Sequence, residues 1–260
     1  ITKTNSNQAK PQAHIAAEGG SYNTRKLQGG FSIGQQAGYL SLGFSGLRSD
    51  GFSAVSKEYG GREKDGYENT SITLNSGGRL TDLLELKFNL HYSDSTSDYD
   101  DFFNKIDADN STDQQTLTAG LRTTFHLLDE RWLLTLAVAH TQIERENHEP
   151  AGFFPMYDYK GEKNKVELLN ELRINPHNTL IFGAEVEREE AKNSFGQDDR
   201  ATHRALFGEH RLAVGDFSTN LGVRYDDHKG KLTPNSRTSF RWVPNGIPGV
   251  ETRLPILFSE

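Results

Sequence analysis

The chain has 260 residues, 34% of them hydrophobic and 25% charged, with a formal net charge of -7 and a mean hydropathy of -0.69. No run approaches the ~18 consecutive apolar residues of a membrane helix, although transmembrane strands need only ~9–11 residues and keep half of them polar. Cysteine is absent, which excludes disulfides and thiolate metal sites, and acidic and basic residues are interspersed, which argues against a nucleic-acid partner.

The chain opens at Ile1-Thr2-Lys3 with no initiator Met, basic n-region or apolar h-region, so no signal peptide is visible and an exported protein is expected here as a mature segment or a fragment. Periodicity and turn residues then predict about twelve strands. They fall at 13–24, 26–36, 39–49, 68–78, 83–95, 113–127, 131–144, 162–175, 178–190, 201–213, 216–227 and 235–243. In the fifth, Leu84, Leu86, Phe88, Leu90 and Tyr92 alternate with Glu85, Lys87, Asn89 and His91. In the sixth, Leu117, Ala119, Leu121, Thr123 and Phe125 share one face, and in the eleventh Phe217, Thr219, Leu221, Val223 and Tyr225 do. The run Trp132 to Ala139 is almost continuously apolar, and in 201–213 Ala205/Phe207 and Leu206/Leu212 point to opposite faces.

Tight turns are expected at 36–38, 79–82, 128–130, 175–178 and 215–216, and long polar loops at about 50–67, 96–112, 145–160, 191–200 and 228–234. Short and long connections alternate, as they do in outer-membrane barrels, and each strand has one apolar and one polar face, as a wall between lipid and water requires. Tyr39, Phe125, Trp132, Phe217, Phe240 and Trp242 near the short turns, with Phe44, Tyr92 and Tyr225 toward the long loops, are expected to form two interfacial girdles. The turn-to-turn repeat also overlaps that of a propeller blade, but it holds two long strands where a blade holds four short ones.

Several short motifs follow this ladder. Ile1-Thr2-Lys3 is followed by a spacer (Thr4 to Gln12) and then Gly19-Gly20-Ser21-Tyr22. Glu63-Lys64-Asp65-Gly66-Tyr67, Ser97-Asp98-Tyr99-Asp100-Asp101-Phe102-Phe103 and Gly222-Val223-Arg224-Tyr225-Asp226-Asp227 come later. Together they resemble the barrel domain of TonB-dependent outer-membrane receptors, most similarly the cobalamin-transporter branch. The resemblance implies an all-β fold: an antiparallel up-and-down transmembrane β-barrel, here partial, with about twelve of about 22 strands. It places the end of a plug and its linker at 1–12 and the partial barrel at 13–243. Residues 244–260 carry Pro244, Pro248 and Pro255 and lose the alternation. An irregular tail, from a partial reading frame with an aberrant end or from a divergent loop, is expected there.

The resemblance also implies external loops that capture a bulky nutrient, cobalamin or another corrinoid first and an iron-siderophore second. The partners it implies are outer-membrane lipid of a Gram-negative bacterium, the protein's own plug and the TonB complex. Rigid aromatic rings with polar tips suit such ligands. Loop aromatics recur at Phe52, Tyr59, Tyr67, Tyr99, Phe102, Phe103, Phe153, Phe154, Tyr157, Tyr159 and Phe195, and packing among the loops themselves is their other reading. Tyr67, Tyr99, Phe102, Phe103, Phe153, Phe154 and Tyr157 are the ligand-binding candidates. No cofactor is required. Asp65, Asp98 and Asp100 are calcium candidates, since calcium takes six to eight oxygens; a solvated acidic loop explains the same residues. The chain has no His-Glu-x-x-His, Gly-x-Ser-x-Gly or phosphate-binding glycine loop, so no enzyme is expected. A soluble propeller-like binding module and a non-transporting barrel (adhesin, phage receptor or passive porin) are the readings of other classes.

Overall fold

The structure, a computed structural model, describes residues 10–35, 37–101, 106–230 and 233–244. The strands are β1 (Gln12–Gly19), β2 (Arg25–Gln35), β3 (Gly38–Ser49), β4 (Tyr67–Thr81), β5 (Leu84–Asp101), β6 (Ile106–Leu127), β7 (Trp132–His148), β8 (Met156–Asn175), β9 (Asn178–Asn193), β10 (Asp198–Val214), β11 (Phe217–Gly230) and β12 (Thr233–Pro244). They form one sheet in chain order. Every neighbouring pair is antiparallel. Antiparallel neighbours need no crossover, so a hairpin at each step is sufficient.

The expected strands are all present, with two differences. β1 stops at Gly19 instead of running to 24. Tyr22 (φ 58°) and Asn23 (φ 55°) adopt left-handed backbone there, and the Gly20 amide donates to the Thr24 carbonyl at 2.9 Å, closing a turn. Second, the strands run far into the segments expected as long loops, so that 96–112 is mostly the paired ends of β5 and β6. Those ends are polar on both faces. Alternation vanishes there, but backbone pairing continues without it.

The register sorts the side chains. Leu136, Leu168, Ala184, Leu206 and Tyr225 lie in one cross-strand row, and Ala137, Glu167, Glu185, Ala205 and Asp226 in the next, on the opposite face. Burial shows which face is concave. Glu167 (4% exposed) and Ala205 (3%) are crowded, whereas Val166 (46%) and Leu206 (61%) are open. The open face also carries Leu42, Phe44, Ile72, Leu121, Val138, Phe182, Val186, Leu221 and Val223, all exposed. Soluble monomers rarely expose more than roughly 300–600 Å² of contiguous apolar surface. A band this wide therefore belongs against lipid.

β10 resolves in the same way, with Phe207 inward and Leu206 outward. In β7 the small residues Ala137 and Ala139 face the crowded side. Phe125, Trp132, Phe217, Phe44, Tyr92 and Tyr225 share the outward register that the girdle expectation requires, and the backbones of Phe240 and Trp242 pair with those of Tyr225 and Val223. Tyr39 departs from it. Its register partner is Gly77, which pairs in turn with Lys87, so Tyr39 lies on the inner face, its ring filling the space left by the glycine. Ile1-Thr2-Lys3 and the tail after Pro244 lie outside the described residues.

The inner face is ionic. Glu185 accepts from Arg224 Nη2 at 2.5 Å and Lys165 Nζ at 3.1 Å, and Lys165 also approaches Glu167 at 3.6 Å. Buried charges persist only when paired in this way. Arg224 also lies 5.7 Å from the centroid of the Phe207 ring. That ring covers Gly183, where an added Cβ would meet Phe207 Cζ at 2.6 Å. Gly183→Ala should therefore destabilise the sheet by about 1–3 kcal/mol through overpacking. Gly161→Ala, where an added Cβ meets nothing within 4 Å, should stay within about 0.5 kcal/mol. Urea unfolding of the two variants in lipid checks this, and equal stabilities would contradict it.

Candidate functional site

The candidate site lies where the strands project beyond the apolar band. The segment between β3 and β4 folds onto the tip of the β5–β6 hairpin through carboxylates that accept backbone amides. Asp100, 7% exposed, accepts from Val55 N at 2.7 Å, Ala108 N at 3.1 Å and Ser53 Oγ at 3.3 Å. Asp107 accepts from Arg62 N at 2.9 Å and Asp65 from Ala54 N at 2.5 Å. Asp100 sits at an irregularity between Tyr99 and Asp101, which aims it out of the ladder.

These bonds bring Glu63, Asp65 and Asp100 together, with an oxygen from each within 4.8 Å of the others. Glu63 Oε1 is buried without a hydrogen-bond partner among the described residues. Burial, and then the neighbouring charges of Asp107 and Asp100, push the Glu63 carboxyl up to about 6. Asp65 is also raised, chiefly by burial and then by Asp100, against the Ala54 amide. Burial acts upward on Asp100 too, but the Val55 and Ala108 amides outweigh it and hold that carboxyl below its usual value. Such a set suits a hard cation, which would supply the charge these oxygens lack. Of the three calcium candidates, the structure joins Asp65 and Asp100. Asp98 stands apart, accepting from Gly66 N at 3.2 Å. Glu63 takes the third place. It lies in the same short motif as Asp65, but only the folded loop shows its approach to Asp100.

The aromatic candidates gather around the β7–β8 connection. Tyr99 and Tyr157 both donate to Glu149 Oε1, at 2.9 and 2.6 Å. Beneath them Asn147, 1% exposed, accepts from Thr112 Oγ1 at 2.9 Å. Phe195, from the β9–β10 connection, stacks edgewise on Phe154 at 5.1 Å and tilts against Tyr157 at 5.4 Å, while Phe153 meets Phe154 at 4.9 Å. Phe153 is 92% exposed. The result is a fixed base of tyrosines beside an open phenylalanine edge. Tyr67 begins β4 opposite Ser49 and Ser97, exposed and apart from this cluster. Phe102 and Phe103 lie outside the described residues. Glu149 escaped the sequence reading because its two tyrosines come from different hairpins.

Comparison with known proteins bears on the family and the fold. The model of the family "TonB dependent receptor-like, beta-barrel" matches residues 14–247. The chain belongs to this family, a family of bacterial outer-membrane transporters and receptors. It is 25% identical over 227 residues to the vitamin B12 transporter BtuB of Photobacterium profundum, covering 86% of this chain and 36% of the relative. The chain thus spans about a third of that curated relative. Among solved structures it is similar to the FrpB iron transporter from Neisseria meningitidis, with a TM-score of 0.70 and 12% identity over 91% of this chain and 43% of the other. The ferripyoverdine receptor of Pseudomonas aeruginosa gives a TM-score of 0.66 and 12% identity over 91% and 40%. At these identities the structures share the fold, that of part of an antiparallel TonB-dependent barrel.

Glu149 makes a direct prediction. Burial and then the Glu149 carboxylate raise the Tyr157 hydroxyl well above its ordinary value of 10. Glu149→Gln removes a charge and keeps the shape, so Tyr157 should titrate at lower pH than in the parent, read from tyrosinate absorbance against a Tyr157→Phe control. An unchanged titration would contradict the shared bond.

Proposed function

We propose that the chain forms about half of the wall and part of the capture surface of a Gram-negative outer-membrane transporter, with a cobalamin or related corrinoid as ligand. In this reading residues 1–12 belong to the end of a plug and its linker, and 13–243 to the wall. The ligand settles on Tyr99, Phe153, Phe154 and Tyr157, and Tyr67, Phe102 and Phe103 are the further contact candidates. A plug within the barrel and the TonB complex then open a path inward. The observation that carries this reading is the open aromatic surface fixed by Glu149 above an outwardly apolar wall. The 25% identity to a vitamin B12 transporter supports the choice of ligand.

In the receptor that carries these strands, Phe153→Ala with Phe154→Ala should weaken cyanocobalamin binding at least tenfold, the effect of losing about 1.4 kcal/mol. Isothermal titration measures it. Undiminished cyanocobalamin binding would contradict the site, and binding of a ferric chelate in place of cobalamin would contradict the ligand.

Calcium at Glu63, Asp65 and Asp100 is part of the same proposal. With its carboxyl held near 6 against an ordinary 4.5, Glu63 favours the folded loop below about 4.5, and that contribution is lost as pH rises through about 6. A divalent cation reverses the sense, because it binds the ionised form. Calcium should therefore protect the β3–β4 loop from proteolysis at neutral pH and bind progressively more weakly as pH falls through about 6. Protection that does not change with pH, or no protection, would contradict this assignment.

A further inference from the structure

On the outward face, just beyond the apolar band, almost every charge has a partner on the same wall. Lys160 pairs with Glu144 at 2.7 Å, Arg200 with Glu190 at 2.6 Å, Lys192 with Glu190 at 3.1 Å and Lys229 with Asp227 at 3.6 Å. Arg188 and Arg204 are exposed on this face and make no ion pair or hydrogen bond among the described residues. Arg188 faces Thr202, and Arg204 stands between Val186 and Asp227. The two arginines are diagonal neighbours on β9 and β10, a placement that sets Cβ atoms about 7–8 Å apart. Two guanidinium groups on such neighbours repel unless an anion lies between them, and together they offer the planar donors that suit a phosphate.

Their depth identifies the source of the anion. The β10 residues between the short turn at Gly215 and Arg204 match the ~9–11 that a tilted strand needs to cross the hydrocarbon. Val186 lies below Arg188, and Leu206 and Tyr225 lie in the row below Arg204, on the same face. The arginines therefore stand at the height of the headgroups, on the side of the long connections, pointing away from the lumen. No loop of the described residues covers them.

We propose that Arg188 and Arg204 form a docking site for the phosphate of an anionic lipid headgroup in the outer leaflet, and so fix the lipid against β9 and β10. The proposal rests on the membrane-wall reading. The two guanidinium groups bracket one phosphate and the apolar row beneath them receives the acyl chains. The ion-paired cations of the same face bind within the wall and do not discriminate between lipids.

The test reconstitutes the receptor that carries these strands into phosphatidylcholine nanodiscs containing a minor fraction of bisphosphorylated lipid A. A parallel set contains a glycolipid of similar acylation without phosphate. Native mass spectrometry counts the retained lipids. The parent should retain the phosphorylated lipid over the unphosphorylated one. R188Q/R204Q should lose that preference by about tenfold, and the loss should shrink as salt is raised. K192Q/R200Q, on the same face, should keep the preference and controls for charge removal alone. Retention that is equal in the parent and R188Q/R204Q overturns the proposal. So does self-association through this face that R188Q/R204Q abolishes without any lipid preference. A receptor that inserts but shows no preference defeats the docking site alone, whereas one that fails to enter the nanodisc defeats the wall reading as well.

Discussion

Everything in this molecule depends on the unbroken backbone ladder. In hydrocarbon an unpaired amide or carbonyl costs several kcal/mol, because no water replaces the lost partner. The antiparallel hairpin ladder pairs each of β2 to β11 with both neighbours and needs no helix or crossover. Once it is fixed, a period of two does the rest. One face receives Leu136, Leu168, Leu206 and Tyr225, and the other Ala137, Glu167, Glu185 and Ala205. Polar exceptions on the lipid side are satisfied locally. Asn170 faces outward but is only 5% exposed and accepts from the indole of Trp132 at 3.1 Å.

Beyond the band, water is present and the constraint relaxes. The ladder persists there for a different purpose, holding the tips of the hairpins at defined heights. Two carboxylates then tie separate hairpins together. Asp100 anchors the β3–β4 segment to the β5–β6 tip through backbone amides. Glu149 joins Tyr99 on β5 to Tyr157 on β8. The acidic and aromatic clusters meet along the chain at Tyr99 and Asp100, successive residues at the irregular end of β5. The charged inner wall beneath them, centred on Glu185, is the polar interior that a plugged barrel would present.

The wall was largely legible in the sequence, because alternation and turn residues report directly on a two-faced sheet. Failures came where that physical signal stops. The ends of β5 to β10 carry polar residues on both faces, so they read as loops although the backbone stays paired. Tyr39 read as a girdle residue because proximity to a strand end was used without its register. The site was half legible. The motifs single out Asp65 and Asp100, which the structure brings together, but the approach of Glu63 depends on a loop folding back through three amide hydrogen bonds, and the sharing of Glu149 by two tyrosines depends on strand register. No local pattern encodes either.

One face of this sheet meets lipid and the other a polar lumen. Nitroxide scanning of the reconstituted receptor, one residue at a time along β10 from Arg204 to Leu212, tests it most directly. Collision with oxygen should rise at Leu206, Gly208 and His210 and fall at Ala205, Phe207 and Glu209, with a polar relaxant showing weak access on the outward set. A two-residue period with that phase is the expected result. A flat profile, or the opposite phase, would contradict the membrane wall and everything built on it.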